Sequence, residues 1–496
     1  MEPVLPFELT LEGIRAGGLT KALHRQLRAA ILERRLPAGY ALPSTRQLAR
    51  KLDIGRNTVI TAYDLLVAAG YAQSRRGARL VVTAPHAEHQ HASGKLVTRK
   101  TLSAVPRDSN KRISAVWRRP ADAIVYGMPL PARCFRTGVP ENRHFDHDVW
   151  RRLTSRALRA AARMPFTYGP PRGLPELREA IAGHVAFVRA VVCQPDDLVI
   201  TSGAQQAFDL LARLLVTPGT TRVAVENPGY PPMRAPFVAA GAQLVPVPID
   251  GEGLRVDRLP NDVKVICVTP SHQSPTGAVM SPARRATLMA RARAMDAVVI
   301  EDDYDGEFLY DAHTHDALQT LDRERVFYIG TFSKSLFPRL RKGFVVCPEW
   351  ARETMIDIKH AADSHTDVVP QATLAAFIAE GHLARHIRRM RPIYAQRRRA
   401  LEQGAQEHWA NCMEVLPGNA GLHLSTRIVD AAMSPGIIEC ARQHLPGALP
   451  LSAYSVGPAR QLGLCIGYGG VEVDQIASAV RALGLAMRSV RRAQVR

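Results

Sequence analysis

Apolar residues recur at helical spacing three times between residues 18 and 83. Leu23, Leu27, Ala30 and Ile31 share one face of a helix predicted over about 19–35, which Pro37-Ala38-Gly39 terminates. A second helix starts at Ser44, whose hydroxyl can cap free amides, with Gln47 at the capping-box position and Leu48, Ala49 and Leu52 as its apolar face. The third runs from about Arg56 to Ala69, turns Val59, Ala62, Tyr63, Leu66 and Val67 inward, and stops at Gly70. Tyr71–Ser74 and Leu80–Val82 then read as two short strands around Arg75-Arg76-Gly77.

Periodicity vanishes over 84–125, a polar, basic stretch broken by Pro, Gly and Ser that reads as a flexible linker. His86, His89 and His91 lie in it without a thiol or carboxylate to complete a metal set. Beyond 126, the apolar runs Asp197–Thr201, Arg222–Val225, Val263–Thr269, Ala297–Ile300 and Val326–Gly330 each precede a loop rich in Gly, Pro, Ser or Asp. Helical patterns between them predict a parallel α/β sheet covered on both faces, over about 165–350. Residues 351–490 mix helices and short strands, as a smaller α+β lobe does.

Charge sharpens this division. The chain of 496 residues carries a formal +20; residues 1–83 hold 13 Lys/Arg against 6 Asp/Glu, and residues 84–125 hold 8 against 3. A basic head on a nearly balanced body suits a polyanionic partner at the N-terminal end. No apolar run approaches the ~18–20 residues of a membrane span, and MEPVLPFELTLEG lacks a signal-peptide pattern, so the expected location is cytoplasmic. The seven cysteines are scattered with no C-x-x-C pair, so neither a disulfide framework nor a metal site is expected.

In the head, Arg56 and Asn57 open the third helix, where side chains reach base edges in a major groove; Arg favours guanine and Asn adenine. Thr58 and Thr61 can add base or phosphate contacts, and Ser44 and Arg46 suit backbone phosphates. Arg75, Arg76 and Arg79 form a basic wing. The stretch LHRQLRAAILERRLPAGYALPSTRQLARKLDIGRNTVITAYDLLVAAGYAQSRRG resembles the GntR-type winged helix-turn-helix, implying an N-terminal domain over 10–83 that binds double-stranded DNA. Gly55 replaces the usual capping Ser, and the wing reads Gly77-Ala78-Arg79.

Candidate chemistry in the body clusters just after apolar strands, where open parallel sheets bind ligands. Lys334 sits in YIGTFSKSLFPRLRKGF with Thr331, Ser333 and Arg341 nearby, hydroxyls and a cation suited to a phosphate. Asp302 or Asp303, ending AVVIEDDYD, can face a pyridine nitrogen, and Tyr304 a ring hydroxyl. Ser202, Gly203, Ala204 and Gln205 enter a helix whose free amides favour phosphate. Tyr230, in ENPGYPP, can stack on a ring. These groups meet the needs of pyridoxal 5′-phosphate.

Together, YGPPRGLPELREAI, VITSGAQQAFDLL, VENPGYP, VTPSHQSPTG, VIEDDYDGEF and IGTFSKSLFPRLR resemble fold-type I aminotransferases, specifically the domain of MocR/GabR-type regulators, over about 126–470. The resemblance implies Lys334 as the Schiff-base lysine, Asp302 at the pyridine nitrogen, Tyr304 near the ring hydroxyl and Tyr230 on the ring. It further implies phosphate contacts from Gly203, Ala204, Thr331, Ser333 and Arg341, Tyr168 reaching the neighbouring subunit's phosphate, and a head-to-tail homodimer. The implied function is transcription regulation, with the body over 126–490 sensing the coenzyme or an amine or amino acid that reacts with it. The alternative is a working aminotransferase with an accessory DNA-binding head. Two departures stand out. Ser274 replaces the Asn of N-P-T-G, and Leu462 stands near the position of the substrate-carboxylate arginine, with Arg460 out of step.

Overall fold

The computed structural model describes residues 5–11, 18–74, 80–83, 112–118, 134–165, 167–310, 316–458 and 461–494. The chain divides into two compact units, Met1–Val105 and Pro106–Arg496.

In the first unit, α1 (Leu19–Leu32), α2 (Thr45–Leu52) and α3 (Arg56–Ala68) precede an antiparallel hairpin of β1 (Ala72–Ser74) and β2 (Leu80–Val82). Leu23, Leu27, Ile31, Leu48, Val59, Ala62 and Leu66 bury one another in a single cluster. α1 stops at Leu32, short of the predicted end, because Arg34 turns left-handed (φ 59°) and Leu36 N–H closes back on Ala30 O at 3.0 Å. The capping box forms as predicted: Ser44 Oγ accepts from Gln47 N at 3.3 Å, and Gln47 Oε1 accepts from Ser44 N at 3.1 Å. Val67 corrects the sequence expectation, for it is 41 % exposed. It lies about 80° around the helix from Val59, outside the stripe of Val59, Ala62, Tyr63 and Leu66.

The second unit includes α4 (Ala115–Arg118), a single turn within the stretch expected to be linker, then α5 (His147–Ala161) and α6 (Pro175–Arg189). Its main sheet has eight strands. In spatial order they are β3 (Leu198–Thr201), β10 (Gly343–Val346), β9 (Val326–Thr331), β8 (Val298–Asp303), β7 (Val265–Val268), β4 (Arg222–Asn227), β5 (Gln243–Asp250) and β6 (Gly253–Leu254). β9, β8, β7, β4 and β5 run parallel, whereas β10 is antiparallel to both β3 and β9, and β6 to β5. All five predicted strands are present; β5, β6 and β10 are additions to the expected sheet.

Alternation along the strands gives the sheet two buried faces. Leu198, Ile200, Tyr328, Phe344 and Val346 pack towards α6, α11 (Val368–Ala379) and α12 (His382–Trp409). Val199, Phe327, Ile329 and Val345 pack the other way, with α7 (Ala204–Leu215), α8 (Pro231–Ala239) and α10 (Arg352–Asp363). Ile266, Val268 and Val299 are covered by α9 (Pro282–Ala294). The C-terminal lobe is an antiparallel sheet in the order β11 (Met413–Val415), β12 (His423–Ile428), β14 (Gly463–Gly467), β13 (Leu449–Pro450), with α13 (Ser434–His444) and α14 (Val473–Gln494). All seven cysteines are unpaired. No described helix is long and apolar enough to cross a membrane.

Candidate functional sites

Unit one presents its predicted contact residues at the junction of α2 and α3. Ser44, Arg46, Arg56 and Asn57 are exposed and Thr58 is half-buried. Tyr63 Oη donates to Pro43 O at 2.9 Å, which ties α3 to the entry of α2, and Arg56 Nε lies 3.4 Å from Thr45 Oγ1. The Ser44 hydroxyl is engaged in its own cap, and Thr61 Oγ1 donates to Asn57 O at 2.9 Å. Gly55 caps α3 without a side-chain hydrogen bond, as its lack of a hydroxyl requires. Arg75, Arg76 and Arg79 lie outside the described residues.

In unit two, strand ends and loops enclose a cavity of about 440 Å³. Its walls include nine sequence-predicted residues: Ala204, Gln205, Tyr230, Asp302, Tyr304, Thr331, Ser333, Lys334 and Arg341. Gly203 lies just behind the lining. Its φ of +79° is one that side chains rarely adopt, and a Cβ there would meet the Arg341 guanidinium at 3.0 Å. Arg341 Nη2 donates to Ser202 O at 2.7 Å, which sets a cation beside the free amides at the start of α7. Thr331 Oγ1 and Ser333 Oγ are 3.1 Å apart on the same side. A helix N-terminus, two hydroxyls and a guanidinium make an anion cradle. Tyr168 is 83 % exposed and outside this lining.

Lys334 Nζ donates to Gly138 O at 3.1 Å. Burial lowers its pKa, opposed by the Asp305 and Asp302 carboxylates. Asp302 is buried, and its Oδ1 has no hydrogen-bond partner. Burial, and then the neighbouring Asp303 and Asp305, raise its pKa well above the usual carboxylate range.

Asp303 faces away. Its Oδ2 accepts from Arg189 Nε at 2.6 Å and from Tyr328 Oη at 2.7 Å. The pair left open by the sequence is thereby divided, with Asp302 lining the cavity and Asp303 in a buried ion pair.

Behind the cavity wall, Tyr304 Oη donates to His272 O at 2.9 Å, and His272 Nδ1 lies 3.0 Å from Asp305 Oδ2. The His423 ring packs on His272 with centroids 4.5 Å apart, and burial holds the His423 pKa well below its ordinary value. Ser274 also lines the cavity, whereas Leu462 is absent from the lining and packs on the hydrophobic core; Arg460 is outside the described residues. Sequence reasoning missed Arg136, Thr137, Gly138, His423 and Tyr454 in the walls. The short run Cys134–Glu141 precedes every predicted strand of the body and carries no periodic signal.

Residues 19–82 match the family model for bacterial regulatory proteins of the gntR family, and residues 137–434 match that for aminotransferase class I and II. The chain is 33 % identical over 475 residues to the probable rhizopine catabolism regulatory protein MocR of Rhizobium meliloti, covering 93 % of this chain and 92 % of that protein. It is 30 % identical over 454 residues to the pyridoxine biosynthesis transcriptional regulator PdxR of Corynebacterium glutamicum, covering 92 % of each. Among solved structures, Pyrococcus horikoshii kynurenine aminotransferase, crystallised with PMP, aligns with a TM-score of 0.67 and 26 % identity, over 72 % of this chain and 90 % of that one. Similar along nearly its whole length to proteins of this two-part build, the chain belongs to the MocR-type regulators of the gntR family, a winged helix-turn-helix joined to an α/β unit of the fold-type I aminotransferase kind.

Proposed function

We propose that the protein is a pyridoxal-phosphate-dependent transcription regulator that binds operator DNA through its first unit and senses the coenzyme, or an amine bound through it, in its second. One observation carries the reading: Lys334, the unpartnered Asp302 carboxyl and the Arg341 anion cradle share one cavity of about 440 Å³. The residues fit pyridoxal phosphate. Lys334 supplies the amine, Asp302 the acceptor for a ring N–H, Tyr304 a phenol, Tyr230 an aromatic face, and Gly203, Ala204, Gln205, Thr331, Ser333 and Arg341 the phosphate contacts. When bound, the coenzyme supplies an aldehyde that condenses with primary amines and an electron-withdrawing ring.

The chain's own groups prepare for that chemistry. Burial favours the neutral, nucleophilic form of Lys334. Asp302 regains its charge once a cation faces it. In the head, Arg56 and Asn57 read bases while Ser44, Arg46, Thr58 and the Arg75–Arg76 wing contact phosphates or flanking edges. A ligand and DNA that each bind two arrangements of the protein unequally change one another's affinity by the same coupling free energy. We place the protein in the cytoplasm as a head-to-tail homodimer, with Tyr168 directed to the partner's phosphate site.

The test is optical. Protein loaded with pyridoxal phosphate should absorb near the visible edge, and Lys334→Ala should abolish that band while operator DNA still binds. A colourless wild type, or a head indifferent to operator oligonucleotides, overturns the reading. The match of residues 137–434 to aminotransferases favours one second reading, a working enzyme. Rapid turnover of amino acid with keto acid would establish it.

A further inference from the structure

Tyr304 and His423 line the cavity, while His272 and Asp305 are buried outside its lining, their side chains 1 % and 2 % exposed. The coenzyme reading gives these two no role. His272 Nδ1 lies 3.0 Å and 3.2 Å from the two Asp305 oxygens. A carboxylate accepts and cannot donate, so the facing imidazole nitrogen carries the proton. The same Nδ1–H reaches Tyr304 Oη at 3.1 Å, and Tyr304 Oη in turn donates to His272 O at 2.9 Å. One residue thus grips the phenol by both side chain and backbone. The grip is rigid. His423 packs on the His272 ring, and Gly421 closes over the His272–Asp305 pair so tightly that a Cβ there would overlap both. Gly421 is itself pinned by the Tyr310 and Tyr468 hydroxyls, which donate to its carbonyl at 2.5 Å and 2.6 Å.

We propose that His272, oriented by Asp305, is a positioning residue for Tyr304: its Nδ1–H fixes the phenol oxygen, so that the phenol hydrogen can turn from His272 O to the ring oxygen of the coenzyme. The proposal rests on the coenzyme reading above and gives a task to two residues which that reading leaves unused. A phenol donating to the ring oxygen favours its anionic form, and an N–H donated to the phenol strengthens that donation. The arrangement therefore lowers the pH at which coenzyme-loaded protein loses its absorbance band near the visible edge. Loss of one such hydrogen bond corresponds to about 3- to 10-fold in the acid constant, or about 0.5–1 pH unit. The ionisable groups facing Tyr304 are Asp305, Asp302, Glu226 and Cys465, and those facing Lys334 are Asp305, Asp302 and Arg341. Substitutions at His272 leave all of them in place.

The experiment titrates that band with pH in coenzyme-loaded full-length wild type, Tyr304→Phe, His272→Phe, the double variant and His272→Asn. Tyr304→Phe and His272→Phe should each raise the midpoint by about 0.5–1 unit, and the double variant should rise no further than Tyr304→Phe alone. His272→Asn, whose amide N–H can stand in for Nδ1–H, should stay closer to wild type than His272→Phe. A merely structural role would lower the urea midpoint of coenzyme-free protein and leave the pH midpoint unmoved. A wild-type pH midpoint in His272→Phe overturns the proposal, as do additive shifts in the double variant, an Asn variant no better than Phe, or an unshifted Tyr304→Phe. Should Tyr304→Phe take up no coenzyme, the comparison of His272→Phe with His272→Asn decides alone. Should His272→Phe take up none, His272→Leu is read in its place, and failure of both in coloured wild type overturns the proposal, for the ring then serves the coenzyme or the fold directly. A colourless wild type is a different failure and refutes the coenzyme reading itself.

Discussion

Asp302 and Asp303 are adjacent and both buried, yet the same substitution should have opposite consequences at the two positions. Asp303 forms an ion pair with Arg189 whose side chains are 2 % and 3 % exposed, and it also accepts from Tyr328. Removing one partner of a buried pair costs about 3–5 kcal/mol, because the other charge stays buried and uncompensated. Asp303→Asn keeps an acceptor oxygen, so the lower end, about 3 kcal/mol, is expected. At a urea dependence of about 3 kcal/mol per molar, this lowers the unfolding midpoint by about 1 M. Asp302 has no partner for Oδ1, and its neighbours Asp303 and Asp305 oppose its ionisation. Asp302→Asn should leave the coenzyme-free midpoint within about 0.3 M, while removing the negative charge that holds a pyridine nitrogen in its protonated form. All four tryptophans, Trp117, Trp150, Trp350 and Trp409, lie in the second unit, so their fluorescence follows its unfolding alone. Coenzyme uptake is read by absorbance on the same samples. Loss of stability at Asp302→Asn with colour intact, together with loss of colour at Asp303→Asn with stability intact, would refute the assignment.

The remaining predictions concern pH, capping and one glycine. Burial raises the pKa of Glu226 to about 7, although Thr269 and Gln273 hydrogen-bond to it and oppose the shift. The folded state therefore favours the protonated acid, and this stability is complete below about pH 4.5 and lost as pH rises through 7, by about 3 kcal/mol. Glu226→Gln should flatten that part of the urea-midpoint profile of coenzyme-free protein, leaving a decline of the same sign from Glu301, also pushed up to about 7; an unchanged profile refutes the account. Ser44→Ala should cost the first unit about 1 kcal/mol by removing half of the capping box, seen as loss of helical circular dichroism at lower temperature. Gly138→Ala adds a Cβ that overlaps the Lys334 ammonium, so coenzyme absorbance should fall, and its φ of +71° adds about 1 kcal/mol of backbone strain that lowers the urea midpoint by about 0.3 M.

What the sequence made legible depended on the range of the interactions. Local patterns sufficed for the capping box of Ser44 and Gln47, and for five sheet strands whose apolar runs end in turn residues. β5 escaped because Pro246 and Pro248 interrupt its run; the strand tolerates them near the sheet edge, where only the two-residue β6 lies beyond it. β10 escaped because nothing local distinguishes an antiparallel strand inserted between β3 and β9 from a fully buried parallel one. Strand alternation already required Asp302 and Asp303 to face opposite sides. Which side held the cavity was decided by Arg189 on α6, more than a hundred positions earlier in the chain.

Arg136 makes the same point for the cavity wall. No pattern around CFRTGVPE marks a binding residue; its place in the wall arises because the C-terminal lobe, through Pro446 and Gly467, grips the segment and lays it beside Lys334. The sequence-predicted cavity groups come from strand ends of a single sheet and keep their motifs, whereas Arg136 is positioned by a different layer of the unit. Changes in that lobe would therefore move Gly138 O and reach the Lys334 amine without disturbing the anion cradle. Substitutions at Thr331, Ser333 or Arg341 should weaken coenzyme uptake, read by absorbance, and unchanged coenzyme affinity in such variants would contradict the role of the cradle.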